Sequence, residues 1–241
     1  MDLSIVITTF NYGHYLEECL TSCILQNACG LKFEIIVVDD GSTDNTGTFL
    51  KQRFPDNVSV FTIDNCGIEK ASNYGFSKAR GEYIVRVDAD DLLSPAYLLC
   101  IEKYINEEHG FFYSNYQMID QRSKIIKEVK LPEFDCEEIK NRGDFLATGT
   151  LIKSKLIHEM GGYRTKTINT GLENYDLILR LIQSGVVGLR IPQTLFCYRR
   201  HSNNFSELKK EQIIQNGKDL FAHNGLGRFK TNKFHPYGLE I

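Results

Sequence analysis

Along the first hundred residues, short apolar runs alternate with stretches whose apolar positions recur every three or four residues. Residues 3–8 form an unbroken apolar run, and residues 15–26 follow with apolar side chains at 16, 19, 20, 23 and 24, the spacing of one helical face. Residues 33–38 are a second, β-branched run that ends on Asp39-Asp40-Gly41. The STDNT segment after it is rich in helix-starting residues and predicts a helix to about Phe54. Residues 58–63 predict a third strand, residues 69–80 a helix stopped by Gly81, and residues 83–87 a fourth strand. Strands this apolar, separated by helices, predict an α/β fold with a mostly parallel central sheet covered on both faces.

The second half is less regular. Residues 95–106 predict a helix, and residues 111–115 and 125–130 predict strands. Residues 145–152 are an apolar stretch holding Thr148-Gly149-Thr150, and 174–183 a helix. Short strands at 186–191 and 194–198 lead into RRHSNN, and from Ser206 a charged, amphipathic helical tail begins. The division expected is a unit over 1–205, with halves 1–100 and 101–205, followed by a tail over 206–241.

Parallel sheets bind ligands beyond the carboxyl ends of their strands. Thr8-Thr9, Asp39-Asp40, Asp64-Asn65 and Asp88–Asp91 all fall there, and three of the four clusters carry acids. The VRVDADDLLSP segment runs a buried strand straight into Asp88, Asp90 and Asp91. In extended chain Asp88 and Asp90 leave on the same side, and two such carboxylates suit a hard divalent cation, Mg²⁺ or Mn²⁺. Asp91 reads as a cap for the helix that starts near Pro95.

The bulk numbers narrow the partners. The 241 residues are 42% hydrophobic and 24% charged, ample for a core, and the net charge of −3 gives no basic field for nucleic acid. Seven cysteines, odd in number and without a CxxC pair or zinc spacing, read as reduced thiols of a cytoplasmic protein. Cys19 and Cys23 sit one helical turn apart among Leu16, Leu20 and Ile24, as small core residues. The MDLSIVITTF start has no basic region, and its apolar run is far too short to span a bilayer. No GxxxxGK[ST] or GxGxxG occurs, which argues against P-loop and dinucleotide enzymes.

Asp-x-Asp alone has little specificity, but its surroundings add much. SIVITTFNYGHYLEECLTSCILQ, EIIVVDDGSTDNT and NCGIEKASNYGFSKARGEYIVRVDADDLLSP together resemble the nucleotide-sugar domain of family 2 glycosyltransferases, with the GT-A fold. The likeness is strongest over about 3–100 and continues more loosely through GTGTLIKSKLIHEMGGY, LENYDLILRL and YRRHSNN to about 205. The resemblance implies a metal-dependent, inverting transfer of sugar from a nucleoside-diphosphate sugar, a UDP-sugar foremost, to a glycan or lipid-linked acceptor. It implies Asp88 and Asp90 as metal ligands with His201 closing over metal or diphosphate. Thr8, Thr9, Phe10, Asp39, Asp88 and Ala89 would line the donor pocket, with Asp40 on the base and Lys70 towards the diphosphate. Asp39 and Asp40 equally suit a turn and helix cap beside Gly41, and Lys70 an exposed helix face.

The base is where this sequence departs from the family. Relatives carry Glu-Asp at the start of a helix with the Asp as base, but here Glu173 is followed by Asn174. An amide cannot accept the acceptor's proton. Asp176 lies one turn from Glu173 but points nearly opposite to Asn174, so it is no simple replacement and equally suits the helix N-terminus. Three readings stay open: Glu173 is the base, the acceptor is activated otherwise around Asn174, or the chain binds nucleotide with little transfer. Gly149-Thr150 and Gly161-Gly162-Tyr163 resemble the family's acceptor-side segment, or serve packing and a helix C-cap. The weakly basic tail reads as a solvated helix or as a foot on the inner face of a membrane. A nucleotidyltransferase is the remaining alternative, weakened because ITTFNYGHY lacks a phosphate loop.

Overall fold

A computed structural model describes residues 1–28, 30–105, 108–146, 149–233 and 235. Cys29, Asn106, Thr148 and the tail residues 236–241 lie outside these described residues.

The chain begins as its pattern predicts. Strand β1 (Leu3–Thr9) is buried at every position, followed by α1 (Gly13–Ile24), β2 (Phe33–Asp39) and the short α2 (Thr46–Phe49). Next come β3 (Val58–Thr62), α3 (Ile68–Lys78), β4 (Tyr83–Asp88), the two-residue β5 (Leu92–Leu93) and α4 (Tyr97–Ile101). The second half holds β6 (Phe111–Ile119), β7 (Ile125–Val129), α5 (Cys136–Arg142), β8 (Leu151–Lys153) and α6 (Ser154–Glu159). It closes with α7 (Glu173–Gln183), β9 (Gly188–Arg199), α8 (Phe205–Leu208) and α9 (Lys210–His223).

Among the described residues the strands form one sheet in the order β3-β2-β1-β4-β8-β6-β9-β5, with β7 on the free stretch of β6. The pairs of β1 with β2 and β4, and of β2 with β3, are parallel. Strand β8 runs antiparallel to both β4 and β6, which turns β6 and β9 back into the direction of β1. The α/β sheet is therefore mostly parallel, with the short β5, β7 and β8 reversed.

Differences from the expected elements have local causes. The helix expected to reach Phe54 stops at Phe49, because Gly47 and the β-branched Thr46 and Thr48 are weak helix formers and Pro55 forces an extended approach. The two strands expected at 186–191 and 194–198 are one strand, β9, with its register against β6 slipping beside Pro192. Asn115 Nδ2 donates to Pro192 O at 2.7 Å there, covering the slip. Helix α3 lies close on β1 because position 75 is glycine: a Cβ would meet Val6 Cγ1 at 2.5 Å.

The tail is less solvated than its charge suggests. Ile213, Phe221 and Phe229 join the core, with Phe221 packed between Tyr175 of α7 and Phe229. Helix α9 thus spends its apolar face on the body of the protein.

Candidate active site

Strands β1, β2 and β4 end side by side, so Thr8, Asp39 and Asp88 come to one edge by register alone: Thr8 is paired with Asp88, and Thr9 with Asp39. A cavity of about 380 Å³ opens over this edge. Its wall includes Thr8, Thr9, Phe10, Asp40, Asp88, Ala89, Asp90, Glu173 and Asn174 from the expected residues. The hydroxyls of Thr8 and Thr9 are buried there without a hydrogen-bond partner, a state that calls for a ligand.

The two acids after β2 separate. Asp40 faces the cavity, its Oδ1 accepting from Cys66 N at 2.8 Å and its Oδ2 from Gly67 N at 2.9 Å. It therefore pins the loop that starts α3, where Gly67 needs φ +92°. Asp39 is buried off the cavity wall and accepts from Ser42 N at 3.0 Å. That bond gives Asp39 the turn-bracing role that the sequence also allowed. Lys70 is likewise exposed and absent from the cavity wall, because its position on α3 points outward.

The acidic turn is braced from three sides. Asp91 is fully buried and accepts from Arg199 N at 2.8 Å, so it ties the turn to β9 and does not simply cap the next helix. Asp90 Oδ2 lies 2.9 Å from His201 Nε2 and accepts from Asn204 Nδ2 at 3.3 Å. Below the turn, the buried Arg86 donates to Glu173 Oε1 at 2.8 Å and pairs with Asp88 at 3.0 Å. Withdrawal from water pushes the Asp88 carboxyl up to about 6; Arg86 pulls the other way, while Asp90 and Glu173 add to the rise.

These residues fit a divalent cation in an open site. Asp88 Oδ1 is buried, close to Arg86 but outside hydrogen-bond geometry, and Asp90 adds hard oxygens with His201 behind it. Among the described residues no three acids, histidines or cysteines form a ready-made metal cage. An ion here would draw the rest of its shell from phosphate oxygens and water, as Mg²⁺ commonly does.

At the start of α7, Glu173 Oε1 is held by Arg86, and its Oε2 is sealed from solvent without a partner. Asn174 Oδ1 accepts from the Tyr163 hydroxyl at 3.4 Å. Asp176 lies off the cavity wall, its carboxylate bonded to Arg164 at 3.0 Å and Arg180 at 2.9 Å. Through these two arginines Asp176 anchors its own helix. Gly161 and Gly162 both have positive φ and form a helix end, after which Asn73 fixes Tyr163 through two bonds of 2.8 Å. At Gly149 a Cβ would strike Phe196 at 2.9 Å, a packing requirement.

Asn65, from the cluster expected after the third strand, is also on the wall, while Tyr12, Arg86, Asp144, Asn204, Phe229 and His235 escaped the sequence reading. Arg86 carried a signal, as the lone cation inside an apolar strand. Asp144 and the tail residues carried none, because tertiary closure alone brings them in.

The model of the family "Glycosyl transferase family 2" matches residues 4–167. The chain belongs to glycosyl transferase family 2. The match covers β1 through α6 and ends before α7, so the departure at 174 lies beyond it. Glycosyltransferase GlyG of Streptococcus pneumoniae is 31% identical over 227 residues, covering 84% of this chain and 72% of that protein. The hyaluronan synthase of Pasteurella multocida is 28% identical, covering 94% of this chain and 23% of the synthase. The chondroitin synthase of that species is 29% identical, covering 97% of this chain and 24% of its own length. The chain thus spans about a quarter of the two synthases. Among solved structures, S. aureus TarS 1–349 in complex with UDP-GlcNAc superposes with a TM-score of 0.75 at 20% identity, covering 95% of this chain and 67% of that one. The mannosyltransferase PcManGT of Pyrobaculum calidifontis, in complex with GDP-Man and Mn²⁺, gives 0.73 at 19%, covering 98% and 67%. The fold of this family member is the GT-A type.

Proposed function

We propose that the chain is a metal-dependent glycosyltransferase that moves a sugar, with inversion, from a nucleoside-diphosphate sugar to a saccharide or lipid-linked acceptor. The observation that carries the reading is the single cavity over the parallel strand ends, joining the unpartnered Thr8 and Thr9 hydroxyls to the Asp88–Asp90 pair. The donor complexes named for TarS and PcManGT support a sugar nucleotide, and the names of the two synthases support a saccharide acceptor.

Each part of the wall has a task in this reading. Thr8, Thr9, Phe10 and Asp40 receive the nucleoside, UDP being favoured. Asp88 and Asp90 hold Mn²⁺ or Mg²⁺, with His201 and Asn204 fixing the Asp90 carboxylate. When bound, the cation supplies Lewis-acid stabilisation of the charge that builds on the leaving diphosphate. Arg86 pairs with Asp88 and Glu173 under that site and fixes their orientation.

Asn174 favours a second reading, a nucleotide-binding chain with little transfer. Incubation with UDP-, GDP- and CDP-sugars and a panel of saccharides, with Mn²⁺ or Mg²⁺, separates the two by release of nucleoside diphosphate. Metal-dependent release stimulated by a saccharide is expected; binding without release in every combination contradicts the enzyme reading.

Among the described residues no helix is long and apolar enough to cross a membrane. A cytoplasmic place remains part of the proposal. Contact of the tail with a membrane surface would rest on its charged face and the exposed Leu208, since Ile213 and Phe221 are buried. The cavity is lined from both halves, 1–100 and 101–205, which supports them as donor and acceptor sides, with the described tail residues Ile213, Phe229 and His235 on its wall.

A further inference from the structure

We infer that Glu69 is a positioning residue for transfer: it holds segment 169–172 against the start of α3 and so fixes the start of α7, which carries Glu173 and Asn174. The inference rests on the transferase reading.

Two segments meet along one wall of the cavity. Gly67, Ile68 and Ala71 come from the start of α3; Asn169, Gly171 and Leu172 come from the other half and run straight into Glu173 and Asn174. Glu69 is fully buried behind that meeting line and is not itself on the wall. Its Oε2 accepts from Asn169 N at 2.7 Å, and its Oε1 accepts from Thr170 N at 2.8 Å and from the Thr170 hydroxyl at 3.0 Å. Ile68 N adds a bond of 3.3 Å to Asn169 Oδ1. The same α3 loop is gripped from its other end by Asp40, through Cys66 N and Gly67 N.

The path onward to α7 is short. The Thr170 hydroxyl oxygen, while donating to Glu69, accepts from Leu172 N at 3.2 Å. Leu172 O accepts from Asp176 N at 2.8 Å, which closes the first turn of α7. The segment does not favour this shape unaided, since Asn169 has φ +53° and Gly171 φ +67°, a region that non-glycine residues seldom enter. The tail backs the segment: Asn216 Nδ2 donates to Thr170 O at 2.9 Å, and a Cβ at Gly171 would meet Phe205 at 3.0 Å and Ile213 at 3.1 Å.

A carboxylate is costly to bury where apolar packing would serve. Here its two oxygens divide between two successive N–H groups and hold the segment in one register. An amide at 69 would offer one oxygen and turn a donor against the second N–H. With Glu173 Oε1 also held by Arg86 of β4, the start of α7 is fixed from two points on the first half of the chain. Glu69 thereby sets where Glu173 and Asn174 stand beside the donor sugar.

The test uses the native chain, Glu69→Gln, Thr170→Val and the two combined. Saccharide-stimulated nucleotide release, binding of UDP, GDP and CDP with Mn²⁺, and urea unfolding are measured on each, with rates taken on folded protein. Glu69→Gln should lower kcat by about 10- to 100-fold, because a displacement of about 1 Å at reacting groups costs up to about 100-fold; nucleotide binding should stay as in the native chain. Thr170→Val keeps the β-branch and removes only the hydroxyl link, and should lower kcat by about threefold to tenfold, the scale of one hydrogen bond. The combined variant should fall no more than about twofold below Glu69→Gln, since both cut one path. A purely structural Glu69 would lower stability and leave kcat of the folded protein unchanged, which overturns the inference. Loss of nucleotide binding in step with kcat also overturns it, by making Glu69 a brace of the donor pocket. If Glu69→Gln does not fold, Thr170→Val decides: a lowered kcat with binding kept supports the inference, and an unchanged kcat overturns it. Each of these results leaves the transferase reading intact, whereas a native chain that binds nucleotide but never releases it overturns both.

Discussion

The two sides of the cavity, which we propose as the donor side and the acceptor side, are built by different rules. On the donor side, β1, β2 and β4 lie adjacent and parallel, so a polar residue placed at each strand end arrives at the site by register. On the acceptor side, β6 pairs with β9 from far along the chain, Phe111 opposite Gly188, and the wall comes from loops, α7 and the tail. A site made by register tolerates change in its loops; a site made by closure depends on the packing that brings its pieces together. The donor side should therefore fail by chemistry and the acceptor side by fold.

The largest effect expected is at the acidic turn. Asp90→Asn should lower transfer by about 1,000-fold, the scale of losing a group that stabilises transition-state charge, with the melting temperature changed little; steady-state kinetics and a thermal melt check this. Arg86→Met tests the seam between the sides. It strands Asp88 and Glu173 as buried charges and should cost about 3–5 kcal/mol by urea unfolding, with Glu173→Gln added to it recovering part.

On the acceptor side, His235 gives a pH signature. Burial, then Arg142, holds it down to about 4, against 6.5 in open chain. Between these values the unfolded chain takes up the proton first, so stability is full above about 6.5 and falls as pH drops to about 4, by roughly 2–3 kcal/mol. His235→Gln should flatten that slope in pH-dependent unfolding. Asp176→Asn should cost about 1–3 kcal/mol through its broken arginine bonds while leaving kcat of the folded protein unchanged. Lys70→Ala, on an exposed helix face, should change KM by less than about threefold, under 1 kcal/mol; a larger rise would return it to the diphosphate.

Much of the donor side was legible because strand period and strand ends are local properties. Asp88 and Asp90 follow an apolar strand, and their shared direction follows from extended geometry. Which of Asp39 and Asp40 faces the cavity was not legible, because it depends on how the chain leaves β2 towards Ser42 and Gly67. The anchoring of Asp176 was half legible: Arg180 stands four residues on, the spacing of a helix ion pair, but Arg164 comes from another segment. Asp144 and His235 had no sequence signal, since each reaches the site through the turn at Gly143 and the docking of α9. The split of 186–198 at Pro192 misled for a similar reason: Asn115, on another strand, covers the slip.

Thermal melting of the native chain with UDP, GDP and CDP, each with and without Mn²⁺, tests the central claim most directly, because a ligand bound to the folded state raises stability by mass action. One nucleoside diphosphate should raise the melting temperature only when the metal is present, and Asp90→Asn should abolish that rise. No metal-dependent rise for any nucleotide would contradict the assignment of Asp88 and Asp90 to a cation that awaits a diphosphate.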